Sequence, residues 1–149
     1  RPKKIMLEKI LAISGKPGLY KLVSHTGRGL IVETLDEKKK RMPVFGMDKV
    51  ISLADIAMYT DDEEVPLRQV LANVKAKENG EKTSVDYKKA SKEELADFMG
   101  SVLPNFDRDR VYPSDIKKLI QWYNLLIDNG VVDFEEAQPQ GEEATSPTE

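Results

Sequence analysis

The chain has 149 residues, 40% of them hydrophobic, enough for the core of one ordinary domain or two small ones; collagen, extended disorder and a large multidomain enzyme are excluded. Its formal charge is −3, and it contains no cysteine and one histidine, His25, which removes disulfides, thiolate chemistry and any zinc site needing two imidazoles. No apolar run approaches the roughly 18 residues of a membrane span, and no signal sequence opens the chain, so a cytoplasmic protein without membrane contact is expected.

Arg1 cannot initiate translation, so residues 1–5 are expected to be an added or cut segment, with Met6 the native start. Leu7, Ile10 and Leu11 follow at i, i+3 and i+4, which predicts a short helix over residues 7–13, stopped by Ser14 and Gly15. Residues 19–23 and 30–35 are rich in strand formers and flank the turn 25–29, which is the pattern of a β-hairpin. After a second turn at 36–40, residues 41–45 predict a third strand; Pro43 lacks an N–H and confines it to an edge or a bulge. Residues 50–59 begin as a fourth strand, although 54–57 could equally turn helically. The acidic stretch Asp61, Asp62, Glu63 and Glu64 then precedes Pro66 and an apolar stripe of Leu67, Val70, Leu71 and Val74, a helix ended by Asn79 and Gly80. Acids placed just before a helix complement its N-terminal dipole.

Residues 79–90 are polar and aperiodic and make the expected linker. Ser91 and Glu94 form an S-x-x-E capping box ahead of Leu95, Phe98, Met99, Val102 and Leu103, and Pro104 ends that helix. Pro113 opens the last one, whose Ile116, Leu119, Ile120, Tyr123 and Ile127 form a stripe broadened by Trp122 and Leu126. Two helices bury little by themselves, so this pair must pack on the first unit, on the helix at 66–78 or on a second copy of the chain. The expected fold is therefore α+β: a small antiparallel β-barrel-like unit with flanking helices over residues 6–78, the linker 79–90, a helical hairpin over 91–133 and a disordered acidic tail over 134–149.

Charge is divided unevenly, with 12 basic and 6 acidic residues up to position 60 but 11 and 20 beyond it. Without residues 1–5 the first part falls from +6 to +3. Lys38, Lys39, Lys40 and Arg41, with Arg28, are the candidate nucleic-acid contacts, since clustered cations bind phosphates by releasing counterions. The competing reading is a solvated hairpin turn whose lysines guard an edge strand. Trp122, Tyr123 and Leu126 are the candidate interface, because amphipathic aromatics suit partner surfaces. Ser24 and His25 are neighbours in a strand and would diverge, and residues 107–115 lack a calcium-loop pattern. Gly15, Gly18, Gly27 and Gly29 read as turn glycines rather than phosphate cradles. No cofactor or metal motif is present, and a hydrolase would need two acids that the spacing does not pair. A non-enzymatic binding module follows, taking nucleic acid or, alternatively, a protein partner or a second copy.

The run from Leu7 to Leu22, together with residues 27–35, resembles an uncharacterised bacterial family known as a domain of unknown function. That resemblance implies a cytoplasmic protein with a small N-terminal barrel and a helical C-terminal part, and it brings no catalytic residues. The order of short helix, strands and tight turns is also similar to Sm-like and other small Src-homology-type barrels, an analogy of topology alone.

Overall fold

A computed structural model describes residues 7–16, 18–46, 48–132 and 134. The expectations for residues 1–5 and for the tail from 135 onward lie outside them. A five-stranded antiparallel sheet comprises β1 (Ile10–Ile13), β2 (Tyr20–Thr26), β3 (Gly29–Thr34), β4 (Arg41–Phe45) and β5 (Val50–Ser52), in the order β4-β3-β2-β1-β5. A second, two-stranded sheet pairs β6 (Ala57–Met58) with β7 (Val65–Pro66). Three helices follow: α1 (Leu67–Lys77), α2 (Lys92–Val102) and α3 (Pro113–Asp128).

The helix expected at residues 7–13 is instead one 3-10 turn, Leu7–Lys9, followed by β1. The reason is burial on both sides. β1 lies between β2 and β5, with Ile10 and Ala12 in one apolar cluster and Leu11 and Ile13 in another. A strand with two buried faces loses its alternation, and a short apolar run then mimics a helix. Residues 50–59 follow neither expectation whole: they divide into β5, a 3-10 turn at Leu53–Asp55, and β6, which belongs to the second sheet. The acids at 61–64 connect β6 to β7, so they occupy a hairpin turn instead of leading directly into a helix.

Among the described residues β4 and β5 are the two ends of the ladder, so a closed barrel is not formed by strand pairing. The sheet is nevertheless coiled. Phe45 ends β4 and Val50 begins β5, a reach of at most about 18 Å for five residues. On a flat sheet four strand spacings alone would part those edges by roughly 19 Å. Phe45 also pairs at the Gly29 end of β3, whereas Val50 pairs at the C-terminal end of β1. Coiling encloses Leu11, Ile13, Tyr20, Val32 and Val44, drawn from four strands, with Val50 of β5 packed against them. Gly29 permits the close approach of β3 to β4, since a Cβ there would lie 2.1 Å from the Val44 carbonyl oxygen.

The larger cluster joins the other side of β1 to the helices. Leu7, Ile10, Leu19, Leu35 and Leu53 pack with Val70, Leu71 and Val74 of α1, Leu95, Phe98 and Met99 of α2, and the stripe of α3. The helical part thus buries its apolar faces against the first unit. α2 opens with the capping box: the Glu94 N–H donates to Ser91 Oγ at 3.1 Å and the Ser91 N–H to Glu94 Oε1 at 3.1 Å. Residues 79–90 are tied to α3, where the Tyr123 hydroxyl donates to the Glu81 carbonyl at 2.7 Å and the Thr83 N–H to Asn124 Oδ1 at 2.9 Å. Phe134, expected to begin the tail, is buried beside Tyr123 with ring centroids 6.2 Å apart.

Because the helices and β1 share one cluster, Leu126→Ala should cost about 2–5 kcal/mol, the usual toll of a cavity at a fully buried leucine. Urea unfolding followed by Trp122 fluorescence and by circular dichroism should shift together to lower denaturant as a single transition.

Candidate binding groove

The candidate interface residues separate. Tyr123 and Leu126 are 0% exposed, turned into the chain's own core, so neither can meet a partner. Burial, and then the charge of Glu78, raise the pKa of Tyr123, keeping its hydroxyl protonated as donor to Glu81. A wide apolar helix face attracts whatever it can bury against, and β1, α1 and α2 supply that within the chain. Trp122 alone is left half-buried at the edge.

The candidate basic residues separate too. Arg28 is exposed in the β2–β3 turn, beside the Gly29–Phe45 pairing, while Lys38, Lys39 and Lys40 are exposed in the β3–β4 turn at the other end of β3. Arg41 begins β4 and pairs at 3.6 Å with Glu33, which also meets Lys21 at 3.9 Å; these three form a charge ladder across adjacent strands. The lysine turn itself is firmly built. Asp36 Oδ1 accepts from the Thr34 hydroxyl at 2.8 Å and from the N–H groups of Lys38 and Lys39 at 3.0 and 3.1 Å. Lys39 takes a left-handed φ of 47° to fit it. Those bonds, the Thr34 hydroxyl first, hold the Asp36 carboxyl below the usual carboxylate range.

A groove that sequence order conceals lies between the ends of β1 and β5 and one face of α3. Its volume is about 620 Å³, and Lys16, Lys49 and Lys118 line it with Gln121, Trp122 and Ile51. Among the described residues no acidic side chain lines it. Lys118, Gln121, Trp122 and Leu125 stand at i, i+3, i+4 and i+7, a stripe of α3 beside the buried one. Leu125 would touch a Cβ placed on Gly18, so this stripe runs on to the turn that carries Lys16. Farther along, the Asn129 amide donates to the Leu35 carbonyl at 3.2 Å, and the Leu35 N–H donates to Leu19. The Lys16 turn and the Lys38–Lys40 turn therefore meet the same end of the sheet and both flank the C-terminal half of α3. Lysines at positions 16, 49 and 118 could be found from sequence only by knowing that β5 lies beside β1.

Beyond Trp122 and Lys118, which line both spaces, a cleft of about 210 Å³ opens between β6 and the N-terminal half of α3. Arg110 and Asp115 stand on it, above Met58, Leu67 and Leu119. The Arg110 guanidinium lies 4.3 Å from the centre of the Tyr59 ring and donates from Nε to Asp107 at 2.7 Å. Asp115 Oδ2 accepts from the Tyr112 N–H at 2.9 Å and so anchors the start of α3. Elsewhere, His25 and Ser24 are exposed in β2, and no group of three or more metal-ligating side chains is present among the described residues. No helix among them is long and apolar enough to cross a membrane.

Two family matches divide the chain. Residues 7–53 match a domain of unknown function, DUF5606, and residues 56–126 match another, DUF6852. The chain is also similar to a Bacteroides vulgatus protein, a structural-genomics target whose solution NMR structure covers 97% of this chain and 99% of its own at 56% identity, with a TM-score of 0.73. No curated protein matches it. The chain belongs to the bacterial family represented by that protein, whose function is unknown, and the resemblance read from residues 7–35 falls within its first domain.

The lysine turn should respond to acid through Asp36. A carboxyl whose pKa is depressed by folding stabilises the folded turn fully above its unfolded value, about 3.9, and that contribution is lost as pH falls through the lower folded value. In an NMR titration the Lys38 and Lys39 amide signals should move together with a midpoint below that of an unfolded aspartate, and Asp36→Asn should abolish the transition.

Proposed function

We propose that this family member is a non-enzymatic, cytoplasmic binding module that takes single-stranded nucleic acid along the groove beside α3. One observation carries the reading: Lys16, Lys49 and Lys118 share a groove with the half-buried indole of Trp122, and among the described residues no carboxylate lines it. Phosphates placed on lysines release counterions, and an aromatic face offers a stacking platform to any base. Lys38, Lys39 and Lys40 extend the positive surface at the same end of the sheet, outward from a turn held by Asp36. Arg28 sits at the opposite end, and Arg41 is shared with Glu33, so neither belongs to this surface. Such a reading needs no reaction: Ser14 lines the groove, but the chain's one imidazole stands apart in β2. A barrel-like coil of five strands serves here as a rigid support for the turns. A cytoplasmic location accords with a chain that contains no cysteine.

Three phosphate contacts predict a salt slope near −2 for a single strand, so affinity for a labelled oligonucleotide should fall roughly twentyfold between about 50 and 200 mM salt. Fluorescence anisotropy measures this directly. Lys16→Glu/Lys49→Glu/Lys118→Glu should remove the binding, and Arg28→Glu should leave it unchanged. Absence of binding, or equal affinity for polyglutamate, would overturn the nucleic-acid reading; the second result would mark a site for acidic polymers in general.

A further inference from the structure

We infer that the 210 Å³ cleft between β6 and α3 is a nucleobase subsite, receiving one base of a strand whose phosphates lie on the lysine groove. The inference rests on the groove reading and extends it from charge to shape. Trp122 and Lys118 line both spaces, so a strand following the groove past Lys118 presents its next substituent at the mouth of the cleft. The walls are apolar, with Met58, Leu67 and Leu119 behind the indole, and they suit a flat, weakly hydrated group. The polar side chains are of mixed sign. Asp115 would repel a phosphate from entering, whereas a neutral base carries both donors and acceptors and can meet a carboxylate and a cation together.

Both polar groups are held in place. Arg110 is stacked on Tyr59 and bonded through Nε to Asp107, and Asp115 is fixed by the backbone N–H of Tyr112. Groups immobilised before a ligand arrives lose little further freedom on binding it. The division of labour is the one expected of a single-strand site: sequence-blind lysines along the backbone, and a shaped pocket for the base.

Ala57 lines the cleft and is itself exposed in β6, so its side chain can be enlarged without entering the core. Anisotropy would compare a labelled single strand with a sugar-phosphate oligomer of equal length that carries no bases. The full chain should bind the intact strand about tenfold or more tightly than the base-free one, the scale of a stacked base. Ala57→Phe should bring the intact strand towards the base-free level without changing the salt slope. A second readout needs no variant: saturation with the intact strand should shift the Met58 ε-methyl NMR signal, and the base-free oligomer should not. Full discrimination retained by Ala57→Phe, or a Met58 signal unmoved at saturation, overturns the subsite and leaves the groove standing. Failure of both oligomers to bind overturns the groove and the subsite together.

Discussion

Burial of one face of α3 is the constraint on which the other elements depend. Ile116, Leu119, Ile120, Tyr123 and Leu126 are all buried, and they are the common surface against which α1, α2 and the outer side of β1 are set. The chain returns to this helix repeatedly: residues 81 and 83 bond to it, Leu35 accepts from Asn129 just past its end, and Val131 and Phe134 close over it. None of those contacts is large, but together they set the rotation of α3 about its axis. That rotation decides what remains outside. Once Tyr123 faces inward, the helical period turns Lys118, Gln121 and Trp122 toward β1 and β5, and groove and cleft follow.

Local signals are legible in sequence where the partner of a residue is close in the chain. The capping box at Ser91 and Glu94, the stripes of α1, α2 and α3, the β2–β3 hairpin and the edge position of Pro43 all concern residues within a turn or two of one another. What sequence hid depends on distant pairing. Ile10 to Ile13 form a strand because β2 and β5 flank them, and no residue within the segment reports that. Phe134 reads in sequence as the first residue of a tail because its partner, Tyr123, belongs to a helix already complete. The groove was illegible for the same reason, with its three lysines drawn from a turn, a strand approach and a helix. Conversely, the run at Lys38 to Arg41 drew notice by density, and the fold then divides it: Arg41 joins Glu33, and the three lysines remain exposed.

The uneven charge of the two halves takes on a spatial meaning. Part of the positive excess is answered within the sheet by Glu33, between Lys21 and Arg41, and another part is gathered where the Lys16 and Lys38–Lys40 turns adjoin α3. The acids at 61–64 lie near the other end of that helix, where Glu64 acts on Arg110. A net charge of −3 is therefore a poor guide to local potential, which differs between the groove lined by Lys16, Lys49 and Lys118 and the surface near Glu64.

The boundary between the two family matches falls at residues 54 and 55, inside the 3-10 turn that joins β5 to β6. Its neighbour Leu53 is wholly buried in the cluster that contains Val70, Leu95 and Leu119. A seam between sequence families here runs through one hydrophobic interior, not between two. Each half carries an apolar surface that the other covers, so cutting the chain at this seam would open Leu7, Ile10 and Leu53 on one side and Val70, Leu95 and Leu119 on the other to water.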